Sequence, residues 1–305
     1  MLFTSTGLIR NNFYIVGLSS YPIHLLDCSE PVLFDGGYTG AGEVYAEAIA
    51  AILGVRHPKI LFLTHVHWDH CGAVSYLKKR FPSLKIAASK KAAEILKRRS
   101  AVETIGRLNA SAEAMVPALT EIDPSRLMGE PFQPFEIDMQ LHDGQVIHLD
   151  EGLSIEVLAT PGHTRDHLSY YIPRKKVLVA AEASSCLDST GNIITEFLAD
   201  YEAYLASLKR LAALPVEILC QGHRIVFVGE EEVRAFLNRA ISEAIHFGER
   251  VHELLETEKG DLDRVIRKIK AEKYDTNKGV KQPEAAYLLN LRAQVTHLAE
   301  KGRLR

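Results

Sequence analysis

His65-Val66-His67-Trp68-Asp69-His70 places four potential metal ligands within six residues, directly after the apolar run Ile60-Leu61-Phe62-Leu63. Successive strand residues point to opposite faces, so residues two apart share one. His65 and His67 therefore lean the same way as the chain leaves a sheet, and the loop beyond brings Asp69 and His70 round from another side. Neutral imidazole and carboxylate are ordinary ligands for zinc, iron or manganese, and mixed nitrogen and oxygen sets often leave a position for water. One such histidine is commonly a core residue. A set this dense reads as a cation site.

Three later segments extend it. Thr160-Pro161-Gly162-His163 closes a strand expected to end near Ala159, and its Pro-Gly turn exposes a histidine at the strand's end. Cys220-Gln221-Gly222-His223 does the same after Val216 to Leu219, and between them Val177 to Ala181 runs into Glu182. Each alone is weak. Together, His65, His67, Asp69, His70, His163, Glu182 and His223 lie at strand exits, where sheets covered by helices tend to site their chemistry.

The rest of the chain alternates the two periodicities. Phe13 to Val16, Ile23 to Leu26, Val32 to Phe34 and Lys59 to Leu63 read as strands, and Val44, Tyr45, Ala48, Ile49 and Ile52 as a helical stripe capped at Gly54. Gly72 to Phe81 and Lys90 to Arg99 are expected to be helical, with Leu84 to Ala87 extended between them. Residues 100–130 read as helical or irregular. Strands follow at Val146 to Leu149, Leu153 to Leu158, Leu168 to Ile172 and Val177 to Ala181, then a helix around Tyr201 to Leu211 and the strand Val216 to Leu219. Two strand-rich halves with intervening helices imply packed sheets covered by helices. From about Glu230 onward only helical patterns remain, broken at Gly260, Gly279 and Pro283, with Pro283 expected at the first position of a final helix. The expected organisation is a catalytic domain over residues 1–230 and a helical extension over 231–305, which could act as a lid.

The chain has 305 residues, a formal net charge of −3 and a pI near 6.5, which make no electrostatic case for nucleic acid as a partner. No apolar run approaches the ~20 residues that cross a bilayer, so no membrane partner is expected. The N-terminus lacks a basic leader followed by a greasy segment, and Cys28, Cys71, Cys186 and Cys220 form no CxxC pair, which suits a cytoplasmic location. Cys71, Cys186 and Cys220 read as small buried thiols, with a soft metal ligand as the sharper alternative. Lys90, Lys91, Lys97, Arg98 and Arg99 read as a solvated helix face, with contact to CoA phosphates as the sharper alternative. Asp166 is expected to accept a hydrogen bond from a ligand imidazole. For His167 a cleft-facing and a packed reading both stand.

On the His-x-His-x-Asp-His signature, the Pro-Gly-His turn, the carboxylate after a strand and the late Gly-His, the chain resembles the metallo-β-lactamase superfamily. The resemblance implies an α+β fold, an αββα sandwich with a C-terminal helical extension and a two-metal site at one edge. It implies that His65, His67 and His163 hold the first metal and Asp69, His70 and His223 the second. The family normally bridges its metals with aspartate in a Gly-Asp pair, and this chain reads Ala181-Glu182 there. Arg107-Leu108-Asn109, Gly162-His163-Thr164-Arg165-Asp166-His167 and Tyr201-Glu202-Ala203-Tyr204-Leu205 add a narrower likeness to a thioesterase-like subgroup.

The expected cofactors are two divalent ions, zinc first, with iron or manganese compatible. Two cations ~3.5–4 Å apart can hold a water and bring its pKa towards 7, and the hydroxide would attack a carbonyl. Asp69 is the candidate catalytic base, and Glu182 the bridge, an alternative base, or a carboxylate that only orients a histidine. The expected partner is a small carbonyl substrate, a thioester of acyl-CoA or glutathione type foremost. A redox enzyme such as a sulfur dioxygenase, and a regulatory binding protein on the same scaffold, remain alternatives. The oligomeric state stays open, a homodimer included.

Overall fold

The computed structural model describes residues 1–120, 122–149, 152–279 and 281–302. Its first half runs β1 (Leu2–Phe3), β2 (Gly7–Arg10), β3 (Phe13–Gly17), β4 (Pro22–Leu26), β5 (Val32–Phe34), α1 (Gly42–Leu53), β6 (Ile60–Phe62), α2 (Trp68–Cys71) and α3 (Val74–Arg80). It continues through β7 (Lys85–Ser89), α4 (Lys90–Leu96), α5 (Arg99–Ala112) and β8 (Met139–Leu141). The second half contains β9 (Val146–His148), β10 (Ser154–Ala159), β11 (Leu168–Ile172), β12 (Val177–Val179), β13 (Cys186–Leu187) and β14 (Ile193–Ile194). After these come α6 (Tyr201–Ala212), β15 (Ile218–Cys220), β16 (Val226–Val228), α7 (Glu230–Thr257), α8 (Leu262–Ile269) and α9 (Glu284–Gly302).

Among the described residues the strands form two seven-stranded sheets, ordered β2-β3-β4-β5-β6-β7-β8 and β1-β16-β15-β12-β11-β10-β9. Strand alternation divides the apolar side chains between layers. Phe13, Ile15, Val32, Phe34 and Phe62 of the first sheet meet Ile155, Val157, Tyr170, Val177, Val179 and Ile218 of the second in one central core. Their alternate neighbours face outwards: Val16, Leu33 and Leu61 towards α1 and α3, and Tyr171, Leu178, Leu219 and Phe227 towards α6 and α7. Fully burying each large apolar side chain contributes about 1.5–3 kcal/mol, so the inter-sheet core and the helix-covered outer faces each hold the layers together. The αββα layering expected from the resemblance is present.

Direction matters more than layering for the site. β5, β6, β7 and β8 pair in parallel, as do β12 and β15. β10 is antiparallel to β11, and β11 to β12, so β10 and β12 run the same way. Within each sheet, then, the segments that follow β5 and β6, and those that follow β10, β12 and β15, leave at one end.

Several local expectations need correction. β1, β2, β8, β16 and the β13–β14 hairpin add to the strands read from the sequence. Asp69 and His70 lie on the one-turn helix α2 rather than in an open loop. The single helix expected over Lys90 to Arg99 breaks between α4 and α5. β12 stops at Val179, and Glu182 sits on a 3-10 turn, Ala181–Ser184. Pro283 precedes α9, and its carbonyl accepts the amide of Tyr287 at 3.0 Å, a capping role one position earlier than expected.

The tail is helical, as its patterning implied. Val233, Phe236 and Leu237 of α7 pack on the second sheet's outer face. Further along, Ala240, Ala244, Val251 and Leu254 join α6, α8 and α9 in a separate core with Phe197 and Tyr204.

Candidate metal centre

Every residue of the predicted set reaches the same edge. The carbonyl of Thr64, beside His65, accepts the amide of Leu168 at 2.8 Å, and Tyr170 Oη donates to the carbonyl of Leu63 at 2.5 Å, tying the two sheets together next to the motif. The Pro-Gly turn places His163 against α6. Gly162 lies at φ +132°, and a Cβ there would sit 2.4 Å from Tyr204 Cα, so this approach requires glycine. After β15, Gly222 lets the chain pass Glu182 closely enough that a Cβ would fall 1.9 Å from Oε1.

Two groups of ligand atoms result. Those of His65, His67 and His163 lie within 4.8 Å of one another, as do those of Asp69, His70 and His223. Glu182 stands between them. Its Oε1 is 3.0 Å from both His70 Nε2 and His223 Nε2, and its Oε2 is 3.7 Å from His65 Nε2. The far imidazole nitrogens are held as well: His70 Nδ1 by Asp35 Oδ2 at 2.9 Å, His223 Nδ1 by the carbonyl of Ser20 at 2.9 Å, and His163 Nδ1 by the carbonyl of Glu196 at 2.5 Å. Such partners fix the ring and direct the free nitrogen inwards.

The electrostatics divide the histidines. Burial, reinforced by neighbouring imidazoles, pushes His65 and His163 well below the ordinary histidine range, so both are neutral, the form that binds metal. Burial also opposes charge on His70, but the Glu182 and Asp35 carboxylates outweigh it and raise this histidine. His223 is raised against burial by Glu182 and then Asp69. Glu182 would be pushed up by burial, yet His70 and His223 hold its carboxyl well below the usual range.

The donor set fits a divalent cation. His65 Nε2, His167 Nε2 and Glu182 Oε2 are buried without a hydrogen-bond partner among the described residues. A buried polar atom left unpaired costs about 1–3 kcal/mol, and nitrogen and carboxylate oxygen are the donors that zinc, iron and manganese accept.

Asp35 escaped the sequence reading, and His167 had two readings open. Asp35 follows β5 at φ 63° and accepts from the Thr64 amide at 2.8 Å, the Thr64 hydroxyl at 2.9 Å and His70. Its only signal was a carboxylate between a strand and a Gly-Gly pair. His167 turns inwards: its Nδ1 pairs with Thr160 Oγ1 at 2.9 Å, its ring stacks on His65 at 5.0 Å, and a ring nitrogen joins ligand atoms of His65 and Glu182 within 4.8 Å. Asp166 differs from expectation. It accepts the Val66 amide at 3.0 Å and so braces the motif's backbone rather than an imidazole. Cys71, Cys186 and Cys220 are buried thiols, as read, and Lys90, Lys91, Lys97, Arg98 and Arg99 are exposed. A separate group, Asp200, Glu202 and His297, is a poor cation site. His297 Nε2 already accepts the Tyr201 amide at 3.0 Å, and Lys301 lies 3.9 Å from Asp200.

Similarity to known proteins agrees with this architecture. A sequence profile of the Metallo-beta-lactamase superfamily matches residues 19–223. A hydroxyacylglutathione hydrolase of Mesorhizobium japonicum is 30% identical over 158 residues, 52% of this chain and 45% of that protein. An atrochrysone carboxyl ACP thioesterase of Aspergillus fumigatus is 25% identical over 218 residues, 70% of this chain and 51% of that protein. The chain spans about half the length of these curated relatives. A metallo-beta-lactamase family protein of known structure from Thermus thermophilus superimposes with a TM-score of 0.65 at 19% identity, covering 97% of this chain and 95% of that one, a likeness of fold. With the profile match running from just beyond β3 to the last histidine of the centre, the chain belongs to the metallo-β-lactamase superfamily.

Proposed function

We propose that the protein is a metal-dependent hydrolase of a small carbonyl substrate, with a thioester as the preferred class. The position of Glu182 carries this reading, because a carboxylate with one oxygen beside His70 and His223 and the other towards His65 suits two cations. His65, His67 and His163 would hold the first, and Asp69, His70 and His223 the second, with Glu182 between them. Zinc is the preferred ion, and the same donors accept iron or manganese. Bound cations of this kind polarise a carbonyl and acidify a water.

The chain's own groups do the remaining work. Asp69 Oδ2 lies 3.4 Å from His223 Nε2, and its side chain is 14% exposed, so it can orient a water and accept its proton while keeping contact with the second group. Asp35, the Ser20 carbonyl and the Glu196 carbonyl hold His70, His223 and His163 in register. A thiolate leaving group is weakly basic and needs little help from a general acid, and no such acid is assigned. One relative is named a thioesterase and another a hydrolase of an acylglutathione, which supports the substrate class. Residues 231–305 belong to the reading as an extension beside the 1–230 domain with a lid role. Contact of α9 with the segment next to His163 supports it.

Elemental analysis paired with a panel of acyl-CoA, acylglutathione, lactone and β-lactam substrates tests the proposal. The expected result is two ions per chain and thioester turnover that a chelator abolishes. No turnover on any substrate after loading with zinc, iron or manganese would sink it.

A further inference from the structure

Residues 195–201 join two parts of the molecule that the proposed chemistry leaves unconnected. On one side they dress the turn carrying His163. The Glu196 carbonyl takes His163 Nδ1, and the amides of Leu198, Ala199 and Asp200 converge on the carbonyl of Gly162 at 3.1, 2.9 and 3.2 Å. On the other side the segment is held by α9. Gln294, 7% exposed, donates from Nε2 to the carbonyl of Thr195 at 2.8 Å, and His297 Nε2 accepts the amide of Tyr201. Between the two, the fully buried Phe197 ring packs against Tyr201 at 5.1 Å and Phe247 at 5.8 Å.

A histidine that presents Nε2 to a cation keeps its proton on Nδ1, and the acceptor of that proton sets the ring's aim. For His163 the acceptor is a loop carbonyl, which no sheet ladder holds in place. The peptide just before it is fixed instead at both of its polar atoms: its N–H, that of Glu196, donates to Tyr204 Oη at 3.1 Å, and its carbonyl, that of Thr195, accepts from Gln294.

We propose that Gln294 is a positioning residue for the metal centre, acting from the C-terminal helix through the peptides of Thr195 and Glu196 to set the tautomer and aim of the His163 imidazole. The inference rests on the reading of His163 as a ligand. It gives the helical tail a role in cation binding that is separate from covering the site.

The test compares Gln294→Met, which removes the donor at similar size, with Gln294→Lys, which keeps one. Leu298→Ala serves as the control, because it opens a cavity under α9 without touching Thr195. Cation affinity is read by competition with a chromophoric chelator, coordination by the visible spectrum of bound cobalt(II), and folding by Tm. Gln294→Met should weaken binding of one cation about tenfold and shift the cobalt spectrum, and Gln294→Lys should recover most of both. Leu298→Ala should lower Tm with affinity unchanged. Gln294→Glu keeps the shape without a donor at neutral pH and carries the same expectation if Gln294→Met folds poorly. Parental affinity and spectrum in Gln294→Met and Gln294→Glu would overturn the inference, as would an equal affinity loss in Leu298→Ala. His163→Ala separates the two levels. If it still binds two ions, the ligand reading fails and the inference with it. If it loses one ion while Gln294→Met loses nothing, only the inference fails.

Discussion

The imidazole of His70 donates from Nδ1 to Asp35 Oδ2 at 2.9 Å, and both side chains are only 5% exposed. The same carboxylate receives the amide and hydroxyl of Thr64, so one group at the end of β5 orients both the strand exit before His65 and the ring of His70.

Asp35→Asn isolates the charge in that relationship. Asparagine tolerates the left-handed φ of 63°, so the backbone is undisturbed. The variant should fold with a loss of about 1–3 kcal/mol in urea unfolding. Affinity for the second cation should fall about 10–100-fold. Parental cation affinity would assign Asp35 a purely structural role.

Gly222→Ala attacks the Glu182 carboxylate by crowding. The added Cβ would lie 1.9 Å from Oε1, an atom pinned by His70 and His223, so the carboxylate has to leave its position. Overpacking of this kind costs about 1–3 kcal/mol. The larger expected effect is on the centre: metal content falling from two ions to one or fewer, and hydrolysis down by about two orders of magnitude. Unaltered metal content in the folded variant would count against the bridging role of Glu182.

Metal loading should stabilise the fold, because the unpartnered His65, His167 and Glu182 atoms gain a partner only in the folded state. Free zinc at a hundred times Kd should add about 2.7 kcal/mol. In calorimetry that is a rise in Tm on the order of 5 °C, reversed by a chelator. A Tm indifferent to zinc would show that the groups do not form a preorganised site.

His24 makes a contribution that depends on pH. Its ring is buried in β4 and stacked on Phe13 at 5.9 Å, and burial, working against the pull of Asp35, lowers its pKa to about 4. The folded-state value lies below the unfolded value of about 6.5, so neutral His24 contributes in full above that pH. The contribution is lost as pH falls from about 6.5 towards 4, by an amount on the order of 3 kcal/mol. Urea unfolding of metal-free protein should show this decline added to that of the lowered His65, His163 and His167, and His24→Leu should make the total shallower by about that amount. A variant that declines as steeply as the parent would place the proton elsewhere.

The elements with a continuous buried face were legible because burial imposes a pattern on them. The strands from Phe13, Ile23, Val32 and Leu168, and the helical stripe from Val44 to Ile52, coincide with β3, β4, β5, β11 and α1. The edge strands β1 and β2 were not: β1 has two residues and β2 buries one of its four, whereas the short β5 is apolar and buried throughout. The partner of β1 also lies at the far end of the sheet-forming chain, in β16. The break between α4 and α5 left no Gly or Pro to mark it. At the centre, the histidines and carboxylates that announce a cation by residue type and spacing were found. Asp35 was not, because its role depends on β5 lying beside β6, a pairing that nothing local specifies.

The sequence by itself determined the family, the layered fold and the seven side chains gathered at one edge, because ligand chemistry and side-chain periodicity are local properties of the chain. Tertiary structure alone decided that His167 turns inwards onto His65, that Asp166 braces the Val66 amide, and that Gln294 of the last helix stands behind His163. Each of those contacts joins residues remote from one another along the chain, and its geometry exists only once the sheets and the helical tail have packed.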